Sequence, residues 1–444
     1  FDKALAVLVG LHQAKLTTLP VRERLVIAAS RTGAWRQATE MLEVLMHERT
    51  EGEGRVEAAR LAMAIYRDRL NEPQSATQAV VRLLEESPAD GEALDMLLQA
   101  DPQPPTRPKL LANARATILQ SLTHRPVDVP AIRRLVKIAR ATGDDSLLHA
   151  SLGVFVAVGV DPKAEEQLLQ LASKKPRLPK IALSDATVRQ LLASGDAGPI
   201  ADLFMTLAPT LAEALGPSLQ ACGVSRRDRI DPRAGLGLRN EIAAWSGAFG
   251  IPEFDLYVGG KDPLGVQGVP GDPPALVVGA QVSNPLSPLT RARVARELFA
   301  LVRGTTIARW RDDVSIAAIT VAACRIAEVL VEHPPYATLA EIERLISKAI
   351  SRKTKRLLPD LCRPIVENSS DPSAWVGRAL LSQNRVSVLA CGDVSLVLCD
   401  VLSEPLERLG SAVRGDARAE ELLRFVLSPQ YIELRKSLGL EGTP

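Results

Sequence analysis

Apolar residues recur at helical spacing through the first half of the chain, as in Ala76, Val80, Leu83 and Leu84 or Ala114, Ile118, Leu119 and Leu122. The stripes come in pairs around a recurring mark, a Gly or polar turn residue followed five positions later by a small or aliphatic one. Gly33 precedes Ala38, Asn71 precedes Ala76, Lys109 precedes Ala114, Gly143 precedes Leu148 and Gly195 precedes Ile200, so the anchors advance by 38, 38, 34 and 52 residues. Twelve positions beyond the small residue stand Thr50, Pro88, Pro126 and Val160, the last followed by Asp161-Pro162. Proline at such a position stops a helix. The spacing therefore predicts helical hairpins whose apolar stripes are buried by stacking on their neighbours, an α-solenoid over residues 1–224.

After the polar stretch Ser225–Pro232 the pattern changes. A helix is predicted from Arg233 to about Phe249, then a turn at Gly250-Ile251-Pro252, a strand over Asp255–Val258, a Gly- and Pro-rich loop over 259–274, a second strand over Ala275–Gly279, and a helix from Leu289 to about Val302. Further helices are predicted over Ala417–Leu427 and Gln430–Leu438, packing back on this second domain. Lys174–Lys180 reads as an exposed connector before a helix capped by Ser184 or Asp185. The fold class is mainly α: an N-terminal solenoid, then a mostly helical α+β domain with a small sheet over 225–444.

Composition agrees with this reading. The 46% hydrophobic and 3% aromatic content suits helices packed through Ala, Leu and Val, and 444 residues call for more than one domain. A net charge of +2 does not point the whole chain at a polyanion. Five cysteines without a C-x-x-C pair fit a disulfide framework poorly and favour a reducing, cytoplasmic setting, and no apolar run is long enough for a membrane helix. Residue 1 is Phe, consistent with a fragment or processed form.

The hairpin marks resemble those of tetratricopeptide and related repeats, with Gly in the turn, Ala five on and Pro at the exit; the Trp-Leu-Gly-Tyr signature of the first helix is missing. The second half resembles gluzincin-type zinc peptidases in its Gly-Ile-Pro, strand, strand and helix order. That family's helix carries H-E-x-x-H, and here it reads Arg296-Glu297-Leu298-Phe299-Ala300. Arg296 and Ala300 occupy the histidine positions, and Leu380, four before Asn384-Arg385, falls where the resemblance places the third ligand. A permanently charged guanidinium repels Zn²⁺ and alanine has no donor atom, so only the glutamate of the motif remains. The resemblance implies a pseudopeptidase without metal or cofactor.

Other constellations carry less. Gly259-Gly260-Lys261-Asp262 does not satisfy the phosphate-loop pattern and reads as a flexible loop between strands. Cys391 and Cys399 read as small buried hydrophobes on an apolar helix. Arg344, Lys348, Arg352 and Lys355, reinforced by Lys353 and Arg356, fall on one predicted helical stripe and present a positive edge. No aromatic residue interleaves it and the preceding Glu341 and Glu343 dilute its charge, which favours a solvated face first, an acidic protein surface second and nucleic acid third. Together these readings predict a non-catalytic scaffold with a protein partner or sister subunits, no small-molecule substrate and no membrane insertion. A divergent metallopeptidase or other hydrolase using Glu297, or a regulatory adaptor using the basic edge, stands as the alternative.

Overall fold

The computed structural model describes residues 1–440 except 17, 49–51, 160–162, 164–165, 167, 169–177 and 235. The chain is mostly helical with repeated helical hairpins and one small sheet, and it forms two compact units that meet in sequence at Asp144 and Asp145.

The first unit holds α1 (Asp2–Gln13), α2 (Leu19–Thr32), α3 (Trp35–Glu48), α4 (Glu53–Asp68), α5 (Pro73–Glu86), α6 (Gly91–Gln99), α7 (Arg107–His124) and α8 (Val129–Thr142). Gly33 ends α2 in the left-handed conformation and Asn71, at φ 53°, turns the chain between α4 and α5. Ala38, Ala76 and Ala114 are all fully buried where paired helices approach closely. Along one side of the stack, exposed ion pairs run from α4 to α6 and from α6 to α8: Arg60 to Asp90 at 2.7 Å, Arg67 to Glu92 at 2.5 Å and Lys137 to Asp95 at 2.6 Å. Such surface pairs contribute little each, so the apolar stripes carry the stability. Lys109 departs from the predicted turn and lies in the first turn of α7; the connection is 100–106 instead. The predicted exits at Pro88 and Pro126 follow α5 and α7, while those at Thr50 and Val160 lie outside the described residues.

The second unit contains α9 (Asp145–Ala157), α10 (Asp185–Leu191), α11 (Pro199–Leu215), α12 (Leu219–Cys222), α13 (Gly237–Ala248), β1 (Asp255–Val258), β2 (Val266–Val269), β3 (Ala275–Val278), α14 (Pro288–Arg303), α15 (Asp313–Ile326), α16 (Leu339–Ala349), α17 (Arg352–Glu367), α18 (Pro372–Cys391), α19 (Val394–Leu402), α20 (Leu406–Ala412), α21 (Ala417–Val426) and α22 (Pro429–Ser437). The sheet order is β1-β3-β2, with β1 parallel and β2 antiparallel to β3. The sequence reading placed β1, β3 and α14 but passed over β2, which lies inside the stretch assigned to a loop. Val266, Gln267, Gly268 and Val269 carry too weak an alternation to stand out beside the eight glycines and prolines that flank them over 259–274.

The compact units divide well before the 224/225 boundary drawn from the sequence. Ile200, Leu203, Phe204, Leu207 and Leu211 of α11 share a core with Ile316, Ile319 and Ala323 of α15, Ile346 of α16, Leu358 of α17 and Trp375 of α18. Phe204 stacks on Trp375 with ring centroids 4.8 Å apart. The polar stretch Ser225–Pro232 is no linker either: after a short 3₁₀ turn closed by a Ser225–Asp228 capping box, Ile230 N–H donates to the Leu256 carbonyl at 2.8 Å and extends the edge of β1. Charged residues there follow from an exposed sheet edge. The anchors Gly143–Leu148 and Gly195–Ile200 accordingly lead into helices of the second unit, where α9 is buried from Ala150 to its end at Ala157. Ser184 caps α10 by accepting from Thr187 N–H, whereas residues 174–177 of the predicted connector are outside the described ones.

Candidate functional site

Helix α14 is largely buried and carries charged side chains into the interior. Ser287 caps it by accepting from Thr290 N–H, Pro288 starts it, and Gly304 ends it at φ 65°. A Cβ at Gly304 would stand 2.4 Å from the Met205 Cα, so glycine is required where α11 crosses. From Thr290 to Ala300 every residue except Arg293 is buried, because β2 lies on one side and α18 on another. Charges on such a helix must be paired.

They are. Arg291 reaches Glu241 of α13 at 3.3 Å, and Glu241 also accepts from Leu286 N–H at 3.0 Å. Arg293 donates to Asp400 Oδ1 at 2.6 Å and to the Leu264 carbonyl at 3.0 Å, while Arg296 donates to Asp400 Oδ2 at 2.9 Å. One carboxylate thus joins two arginines a helical turn apart. Glu297 is fully buried. Its Oε2 accepts from Gly268 N–H of β2 at 3.0 Å, and its Oε1 lies 3.2 Å from Arg309 Nε and 3.9 Å from Arg296 Nε. Neither Oε1 nor Arg296 Nε completes a hydrogen bond among the described residues. A side chain at Gly268 would be crowded, since a Cβ would stand 3.1 Å from Leu301 Cγ and 3.3 Å from both the Glu297 carbonyl and its Oε2. The carboxylate therefore closes the free edge of the sheet onto the helix.

Electrostatics follow the geometry. Burial, together with the like charge of Arg309, pulls the Arg296 guanidinium below its ordinary pKa against the opposing pull of Glu297 and Asp400. Burial would raise Asp400, but the hydrogen bond from Arg293 and the charges of Arg296 and Arg293 outweigh it and hold the carboxyl below its ordinary value. Cys222, on the covered face of the sheet with Val224, Tyr257 and Val277, is pushed up to about 11 by burial and then by the charge of Glu297. A thiol so raised is no nucleophile near neutral pH. Cys391 rises to about 12 through burial.

Of the three residues singled out in the sequence as replacing metal ligands, Arg296 is committed to Asp400 and Ala300 is fully buried in the core. Leu380 packs against the α11–α15–α18 core, and the α18 side chain that reaches the end of α14 is Gln383, donating to Thr305 at 3.0 Å. Among the described residues no group of three His, Cys, Asp or Glu side chains could hold a metal ion. Asp400, Arg309 and Gly268 escaped the sequence reading. The available signal was the pair Arg293 and Arg296 on an apolar helix, which demands a buried carboxylate somewhere else.

The remaining predicted features are rearranged. Residues 259–265 are pinned rather than loose: Gly259 N–H donates to the Val278 carbonyl, Lys261 N–H to that of Cys222 and Gly279 N–H to that of Gly265. The basic stripe is broken, because Ile350 turns to extended backbone at ψ 132° and Ser351 caps a new helix; Arg344 and Lys348 lie on α16, Arg352 and Lys355 on α17. Cys391 and Cys399 likewise fall on two helices, separated by the left-handed Gly392. In the first unit a cavity of about 180 Å³ opens between α3, α4 and α5, lined by Met46, Arg55, Ala59, Arg82 and Glu86 among others. No helix among the described residues is long and apolar enough to cross a membrane. Compared with protein-family models, curated proteins and solved structures, the chain finds no match.

Proposed function

We propose that this chain is a non-catalytic interaction protein: its stacked hairpins offer a binding surface, and its second unit is a peptidase-like body in which the metal site is replaced by a charge network. The tetratricopeptide-like and gluzincin-like likenesses rest on the residues quoted for them. The observation that carries the reading is the position of Glu297. A glutamate that activates metal-bound water needs two imidazoles beside it and an approach for substrate. Glu297 instead is fully buried, spends one oxygen on the Gly268 amide and faces two guanidinium groups with the other.

Incubation of the purified chain with casein and with a mixed peptide library, with and without added Zn²⁺, tests this reading. No cleavage above buffer is expected in either condition. Turnover that disappears in the Glu297→Gln variant would overturn the proposal in favour of a divergent hydrolase.

A further inference from the structure

The corner between α16 and α17 combines three features. Arg344, Lys348, Arg352, Lys353, Lys355 and Arg356 are all exposed, and none forms an ion pair with another described residue. Of the carboxylates nearest in sequence, Glu343 pairs with Arg325 at 3.2 Å and Asp360 lies 3.8 Å from Arg363, while Glu341 is exposed in the first turn of α16. Four of the six cations follow directly on the Ser351 cap, where the helix dipole disfavours positive charge and no acidic residue offsets it. Between Leu339 and Glu367 there is no aromatic residue, and Leu357 is the one large apolar side chain exposed among the described residues.

We infer that this corner docks an acidic peptide segment of a protein partner, one that sets an apolar side chain against Leu357. The inference rests on the interaction reading above and names the partner's chemistry. Uncompensated charge of one sign attracts its complement and steers the encounter. Single-stranded nucleic acid is the poorer fit, because its bases need stacking platforms that are missing here. A lipid surface is poorer too, since stable membrane association needs an apolar face and one leucine does not make one. Six exposed cations on two successive helices with one exposed leucine suit a short run of Asp and Glu around a Leu or Ile.

Fluorescence anisotropy on the full chain tests this, with a labelled oligoglutamate peptide containing one leucine, a labelled single-stranded oligonucleotide and, by flotation, phosphatidylcholine–phosphatidylserine vesicles. The peptide is expected to bind with an affinity that falls as salt rises. The double variant Arg352→Glu/Lys355→Glu should weaken it about tenfold or more, with Leu357→Ala giving a smaller loss and the unfolding midpoint of each variant unchanged. Absent peptide binding, peptide binding indifferent to the charge reversal, or tighter binding of the oligonucleotide or vesicles would overturn the inference. Those results would leave the interaction reading intact, since that reading falls to the hydrolysis assay alone.

Discussion

Two groups of arginines in the second unit meet opposite fates. On α14, half-buried Arg293 and buried Arg296 are held by Asp400 and Glu297, each charge answered within hydrogen-bond or ion-pair distance. At the α16–α17 corner, Arg344, Arg352 and Arg356 stand in solvent beside three lysines with no carboxylate partner among the described residues. The same side chain is a structural part in one place and an unspent charge in the other. Removing a partner in the first region should damage the fold, and altering charge in the second should leave the fold alone.

The largest effect is expected at Glu297. Glu297→Ala strands the buried Gly268 amide and removes one of the two carboxylates facing Arg296, a loss of about 3–5 kcal/mol measurable as a fall in the urea midpoint. Gly268→Ala should cost less, about 1–3 kcal/mol, by forcing a methyl group against Glu297 and Leu301. If either variant unfolds at the wild-type midpoint, the network is decorative and the contrast between the regions fails.

Titration sharpens the contrast within the core. Asp400 sits below its ordinary pKa, so its contribution is present above the unfolded value of about 3.9 and fades as pH falls through the lower folded value. Asp196 behaves oppositely. It is buried, neither carboxyl oxygen is hydrogen-bonded among the described residues, and burial pushes its pKa up, only partly offset by Ser382, Arg303 and Trp375. Its contribution is complete below the unfolded value and is lost as pH rises through the raised folded value. Denaturation midpoints followed from acid to neutral pH should therefore show a shallower acid-side decline in Asp400→Asn, and should be higher than wild type at neutral pH in Asp196→Asn.

The smallest effect is expected at the exposed corner. Arg352→Glu/Lys355→Glu should change stability by no more than about 0.5 kcal/mol, with a slight gain because acid replaces base near a helix N-terminus. A large loss would mean that the corner is a structural charge site like α14.

What the sequence revealed follows the strength of each local signal. Gly33, Asn71 and the buried alanines after them were legible because close helix packing needs a small residue at a fixed place. Lys109 misled because α6 is only nine residues long and its connection to α7 is stretched, which shifts the turn away from the regular spacing. The unit boundary was hidden because polarity at Ser225–Pro232 has the same composition whether a segment is a linker or a sheet edge. At α14 the run Arg296-Glu297-Leu298-Phe299-Ala300 could be read directly, whereas Asp400, more than a hundred residues away, enters only through the tertiary fold.

The central claim, that Glu297 closes a charge network and activates no metal-bound water, is met most directly by the zinc content of the purified chain after dialysis against Zn²⁺ and then metal-free buffer. The account predicts zinc far below stoichiometric, and the same low value in Glu297→Gln. Stoichiometric zinc in the wild-type chain that is lost in Glu297→Gln would contradict it.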